Sequence, residues 1–232
     1  MTTRSSTQAL ADVAASLVQE HDTTTILAQL VQDAAEFVPA DAGAFLVRLP
    51  GGAFDLLSST SHKVSALELF QVQTEVGPCV DACNTGQATH GIGRDDILGR
   101  WPDVGQAILD AGFLAVHAFP MVWRGRALGG LNLFSVEAAE LSATSAALAQ
   151  NFADYATLAI LQPEVVAEEV LAERMSAALD GRVVIEQAKG VLAFQQGLDM
   201  GSAYEELVRL SRTRRATLAQ VASDVLRAAQ TR

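Results

Sequence analysis

The sequence predicts an α+β chain. An antiparallel sheet flanked by helices is followed by an all-α segment of three helices, the first long and coiled-coil-like. Three observations predict it. Short apolar runs punctuated by Gly and Pro lie between residues 42 and 135, whereas helical spacing governs the first forty residues and returns from Ser142 onward. The charge also changes character: residues 1–170 hold 7 Lys/Arg against 20 Asp/Glu, and residues 171–232 hold 9 against 7. Such asymmetry is the mark of an interaction module attached to an acidic body. Two domains are expected, 1–162 and 163–232, with Pro163 at the boundary because proline starts or kinks a helix.

Composition narrows the class. Half of the 232 residues are hydrophobic, ample for a core, which excludes wholesale disorder. Only Cys79 and Cys83 occur, which excludes a disulfide scaffold. Asp12 interrupts the apolar stretch Ala9–Val18, so it does not read as a signal peptide. No run approaches about 18 apolar residues. A cytoplasmic chain with no membrane partner is the expectation.

The elements follow in order. Leu10, Val13, Ala14, Leu17 and Val18 mark one helical face. Asp22 and Thr23 cap a second helix, whose apolar face uses Ile26, Leu27, Leu30, Val31, Ala34 and Ala35 and which ends before Pro39. Ala42–Leu49 and Phe54–Ser59 flank the turn Pro50-Gly51-Gly52 and read as adjacent antiparallel strands. Ala66–Val72 is a short helix. Residues 77–100, rich in Gly, Asn, Asp and Thr, read as a loop region that walls a pocket. Gln106–Ala111 is a short helix closed by Gly112. Val116–Val122 and Ala127–Ser135 are strands about an Arg124-Gly125 turn, with Pro120 marking an edge or a bulge.

Beyond Ser142, Leu148, Phe152, Tyr155, Ala156 and Ala159 form a helical stripe. After Pro163 a long amphipathic run carries two heptad columns: Val170, Ala177, Val184, Val191 and Leu171, Ala178, Ile185, Leu192. Adjacent apolar columns predict a coiled-coil seam and a homodimer, with Val184, Ile185, Ala188, Val191 and Leu192 as its dimerisation residues. At about 1.5 Å per residue, such a helix reaches about 50 Å and outruns a small core. Packing against the chain's own domain is the alternative. Gly197 caps this helix. Ala203, Tyr204, Leu207 and Leu210 give a second helix its apolar face, and Thr217-Leu-Ala-Gln220 has the form of a capping box opening a third.

Catalytic patterns are absent. His21, His62, His90 and His117 are scattered, without the spacing of a metalloprotease helix, and no nucleophile elbow or phosphate loop occurs. No second pair joins Cys79 and Cys83 to complete a zinc site. No catalytic or metal residue is assigned, the cofactor is left unknown, and the chain is not expected to be an enzyme. The basic cluster says more. Arg209, Arg212, Arg214 and Arg215 lie within seven residues, with Lys189 on the polar side of the long helix. Guanidinium forks there suit phosphates and unstacked bases. They equally complement a helix C-terminus.

Two resemblances sharpen these readings. VIEQAKGVLA, the Gly197 break, Tyr204 followed by Leu207, and the final Leu218-x-x-Val221-Ala222 resemble an ANTAR domain across residues 183–226. That resemblance implies a three-helix RNA-binding module of bacterial antitermination regulators. Such modules act as dimers on paired hairpin loops of messenger leaders. Carried onto this chain, it places Lys189, Arg209, Arg212, Arg214, Arg215 and Thr217 at the RNA. Relatives often carry Arg, Asn and a basic residue where Val208, Arg215 and Thr217 stand here.

Glu75-Val-Gly-Pro-Cys79, Asn84-Thr-Gly86, Arg100-Trp-Pro102, Ala111-Gly112 and Leu128-Gly-Gly-Leu-Asn-Leu-Phe-Ser135 resemble the GAF domains that precede ANTAR in actinobacterial proteins. This second resemblance implies a sensor with a small-molecule pocket between sheet and loops, bordered by Glu75, Cys79, Trp101 and His117. A small-molecule or redox enzyme built on that pocket, and a DNA-binding regulator, are the competing readings.

Overall fold

Five strands, β1 (Ala42–Arg48), β2 (Phe54–Ser59), β3 (Thr89–Ile92), β4 (Ala115–Trp123) and β5 (Arg126–Ser135), pair antiparallel in the order β2-β1-β5-β4-β3. They belong to the first of two compact units in a computed structural model, Met1–Glu164 and Val165–Arg232. The structure describes residues 4–19, 22–161 and 168–230, with side chains in the last range from Gly181 onward. The Pro163 boundary, His21 and the side chains of Val170, Leu171, Ala177 and Ala178 lie outside the described residues.

Strand alternation gives the sheet two apolar faces. Phe45, Phe119, Met121, Leu131 and Leu133 point to one side, against α1 (Ser6–Val18), α2 (Thr23–Phe37) and α7 (Ala143–Leu161). Their neighbours Ala44, Val116 and Phe134 point to the other, against α3 (His62–Thr74), α5 (Arg94–Arg100) and α6 (Pro102–Asp110). On that second face Leu46 packs on Cys79, Val80 and Cys83 of α4 (Pro78–Thr85). Caps fix where the helices begin: Ser5, Asp22 and Ser61 side chains accept from the backbone of Gln8, Thr25 and Val64. The β4–β5 hairpin turns on Arg124 (φ 49°) and Gly125 (φ 81°), the two left-handed residues that match strand twist.

Two expectations are corrected. Residues 77–100 are not a loop: they form α4, β3 and α5. Each is too short to show a period, and Pro78 opens α4 while Gly86, at φ 66°, closes it. Burial of Pro78, Cys79, Val80, Ala82, Cys83 and Ile97 then decides the structure. Pro120 agrees with the expected edge or bulge: β4 is an interior strand, but Pro120 lies past the residues that β3 pairs, and a register irregularity follows between Met121 and Val122. β3 pairs only with residues 115–118, and the Pro120 carbonyl accepts from Gln150 of α7 at 2.9 Å. The missing proline N–H therefore falls beyond the end of β3. Val18, expected on a buried face, is 87% exposed; Ala9, Val13 and Leu17 are the buried positions of α1.

The second unit is α8 (Glu168–Gln196), α9 (Met200–Arg214) and α10 (Leu218–Gln230). Its core is Ala188, Leu192, Ala203, Leu207, Val221 and Ala222. Gly197 ends α8 at φ 65°, and the Leu198 N–H returns to the Ala193 carbonyl at 3.0 Å. Thr217 and Gln220 make both bonds of a capping box: Thr217 N–H to Gln220 Oε1 at 2.9 Å, and Gln220 N–H to Thr217 Oγ1 at 3.2 Å. Among the described residues no helix is long and apolar enough to cross a membrane.

Candidate nucleic-acid interface

The basic cluster occupies the last two turns of α9 and its exit. Arg209, Arg212, Arg214 and Arg215 are all exposed. They differ in what holds them. Arg209 Nε and Nη2 donate to the Glu206 carboxylate at 2.6 Å each, which pulls that carboxyl below its usual range. Arg214 lies 3.9 Å from Asp224 of α10. Arg212 has no carboxylate partner among the described residues. Arg215 adopts φ 51° at the C-cap, so its side chain leaves the helix in a direction set by the left-handed backbone. Exposed ion pairs of this kind contribute little and exchange readily for phosphate.

Two residues assigned to RNA are committed elsewhere. Lys189 donates to Glu186 at 2.8 Å and lies 5.8 Å from the centre of the Tyr204 ring, with its side chain 16% exposed. Thr217 uses its hydroxyl to cap α10, although the residue is exposed. Tyr204 itself, expected on the apolar face of α9, is 44% exposed. The pairing with Lys189 accounts for its place outside the core.

The assigned dimer seam divides. Ala188 and Leu192 are buried in the core of their own three-helix unit, and Val184 and Ile185 pack against it. These positions face α9 and α10, so a partner helix cannot share Ala188 and Leu192 while this core stands. Val191 lies beside an open groove of about 570 Å³, lined also by Gln187, Gly190, Phe194, Gln195, Leu226 and Ala229.

In the sheet unit the four residues assigned to one pocket do not meet. Glu75 is exposed at the left-handed C-cap of α3, φ 52°. Cys79 and Trp101 are buried on the α3–α6 side, where the Trp101 indole donates to Asp81 Oδ2 at 2.8 Å. His117 lies across the sheet. It lines a cavity of about 250 Å³ with His90, Phe119, Leu141 and others. Burial first, then His90, lowers the His117 pKa to about 4, so the ring is neutral, and its Nδ1 meets no hydrogen-bond partner among the described residues. The separation follows from period two: His117 and Val116 must point to opposite faces.

Sequence reasoning missed a buried polar cluster on the Cys79 side. Glu68 of α3 accepts from Gln71 Nε2 at 2.8 Å and from Asn132 Nδ2 of β5 at 2.7 Å. All three are fully buried, and burial raises the Glu68 pKa to about 8. An acid inside the apolar run Leu67–Phe70 was the available signal. Nearby, the hydrogen bond with Cys83 and then burial push the Cys79 thiol up, while Cys79 and the Arg48 guanidinium bring Cys83 down. A Cβ on Gly130 would lie 2.8 Å from Cys79 Sγ, so that strand position must stay bare. No metal-binding group of three or more His, Cys, Asp or Glu occurs among the described residues.

Comparison with known proteins bears on both units. Residues 173–226 match the ANTAR domain family, a family of RNA-binding antitermination regulators. The sheet unit resembles solved GAF domains in fold. That of an Acinetobacter phosphoenolpyruvate-protein phosphotransferase aligns at TM-score 0.53 and 10% identity, covering 66% of this chain and 91% of that one. That of the Coxiella burnetii phosphoenolpyruvate-protein phosphotransferase aligns at 0.51 and 16%, covering 67% and 92%. The phycoerythrobilin-bound GAF domain of a cyanobacterial phytochrome aligns at 0.52 and 10%, covering 68% and 95%. No curated protein sequence matches the chain. A helical unit carrying exposed arginines, matched over residues 173–226 to the ANTAR domain family, thus follows a five-stranded sheet that has the fold of GAF domains.

Proposed function

We propose that this protein is a dimeric RNA-binding antitermination regulator. In it a GAF sensor, residues 1–162, modulates an ANTAR unit, residues 163–232, that binds paired hairpin loops in a messenger leader. The observation that carries the reading is the coincidence of the exposed Arg209–Arg215 cluster with the segment matched to ANTAR. Arginine–phosphate contacts would supply affinity, and a few contacts to unpaired bases would supply choice of target. The sheet unit is acidic, so it repels RNA and leaves the C-terminal helices as the binding surface.

Dimerisation on this reading rests on α8 ahead of its core residues, where the heptad columns carry Val170, Leu171, Ala177 and Ala178. A small molecule held by the sheet unit would bias that pairing and so the spacing of two RNA-binding heads. The test is an electrophoretic shift of the full chain with a two-hairpin leader RNA, competed by a single hairpin and by duplex DNA. A shift resisted by duplex DNA and weakened by deletion of one hairpin is expected. No shift at low salt discards the reading.

A further inference from the structure

Phe194 is the most exposed large hydrophobic side chain among the described residues, at 91%. It stands on α8 two residues past Leu192, whose side chain is in the core, so helical geometry turns it out of that core. Beside it lies the open groove with Gly190 and Val191 on one wall and Leu226 and Ala229 on the other. Gln187 and Gln195, both exposed, also line it, and none of the seven lining residues is charged. Gly190 sits inside a helix, where glycine costs about 1 kcal/mol relative to alanine. A Cβ there would meet nothing within 4 Å. Packing within the chain therefore does not require this glycine, whereas close approach by a partner would.

We propose that this groove takes an unpaired RNA base, stacked on Phe194 and laid over Gly190, with the Gln187 and Gln195 amides available to its edge. The inference rests on the RNA-binding reading above and adds to the arginine cluster a second, uncharged contact. Flat aromatic faces stack any base, and side-chain amides offer both donors and acceptors to base edges. A second protein chain fits less well. A stable interface buries roughly 800 Å² per partner, and the apolar surface here is one ring and a few small side chains.

The experiment measures binding of the full chain to a fluorescent two-hairpin leader RNA at several salt concentrations, with sedimentation velocity on every variant. Phe194→Ala should bind about 5- to 150-fold more weakly, with an unchanged salt slope and unchanged mass. Phe194→Trp should bind like the parent, and Phe194→Leu like the alanine variant. Gly190→Leu raises helix propensity yet fills the groove, and should lose affinity without losing thermal stability. Parent-like affinity in Phe194→Ala or Phe194→Leu overturns the proposal. So does a fall in mass in Phe194→Ala, which assigns the groove to a second copy. An unmutated chain that binds no RNA overturns the underlying reading, and a chain that binds RNA indifferently to Phe194 overturns only this one.

Discussion

Glu68 of α3 and Asn132 of β5 meet at 2.7 Å with both residues completely buried, a carboxyl group tied to the middle strand of a sheet from the helix above it. Burial raises the Glu68 pKa from 4.5 to about 8, against the smaller lowering effect of the Asn132 hydrogen bond. The folded protein therefore keeps a proton that the unfolded chain releases. The stability linked to that proton is complete below pH 4.5 and is lost as pH rises through about 8. The loss is on the order of a few kcal/mol. Thermal melts of wild type and Glu68→Gln between pH 6.5 and 9, above the range in which His117 titrates, should diverge, with the wild type falling and the variant flat over that span. Parallel curves would show that Glu68 does not keep its proton.

His117 acts on the opposite limb. Its folded pKa of about 4 lies below the ordinary 6.5. The unfolded chain takes up a proton first, so stability falls as pH drops from 6.5 toward about 4. Between pH 6.5 and 4.5 this loss opposes the gain from Glu68, so His117→Gln should become more stable on acidification over that span than the wild type does, with the alkaline limb left in place, in melts extended down to pH 4.5.

Arg209 is held by Glu206 and Arg214 lies near Asp224, whereas Arg212 is exposed without a carboxylate partner among the described residues; Lys189 is held by Glu186 and Tyr204. Arg212→Ala should weaken RNA binding and lower the salt slope by less than about one unit, as loss of one phosphate contact requires. Lys189→Ala should change the slope far less. Titrations at several salt concentrations with the same leader RNA decide this, and equal slopes in all three proteins would move the interface elsewhere.

Thr217 caps α10 through Gln220. Thr217→Ala should cost about 1 kcal/mol of stability in the C-terminal unit, and Thr217→Ser should restore most of it. RNA salt slopes should be unchanged in both, because a hydroxyl neutralises no phosphate. Chemical denaturation followed by helical circular dichroism reads the first effect.

Leu192 separates the two meanings of the heptad pattern. Leu192→Ala removes a buried side chain from the three-helix core and should cost about 2–5 kcal/mol. Sedimentation should show no change of mass at temperatures where the unit remains folded. Dissociation without loss of stability would return Leu192 to a partner interface.

Much of this protein was legible from local chemistry. Asp22, Arg124-Gly125, Gly197 and the Thr217–Gln220 pair each act through neighbours a few residues away, so their caps and turns could be placed from the sequence. The division of charge and the segment matched to ANTAR were legible for the same reason: both are contiguous in the chain. The tertiary structure alone decided three things. It turned Ala188 and Leu192 toward α9 and α10, although a heptad column looks the same whether its cover comes from the same chain or another. It set Trp101 and His117 on opposite faces of one sheet, because the direction of a strand residue depends on register against distant partners. It buried Glu68 beside Asn132, sixty-four residues away. Burial is a property of the assembled layers, and no local pattern carries it.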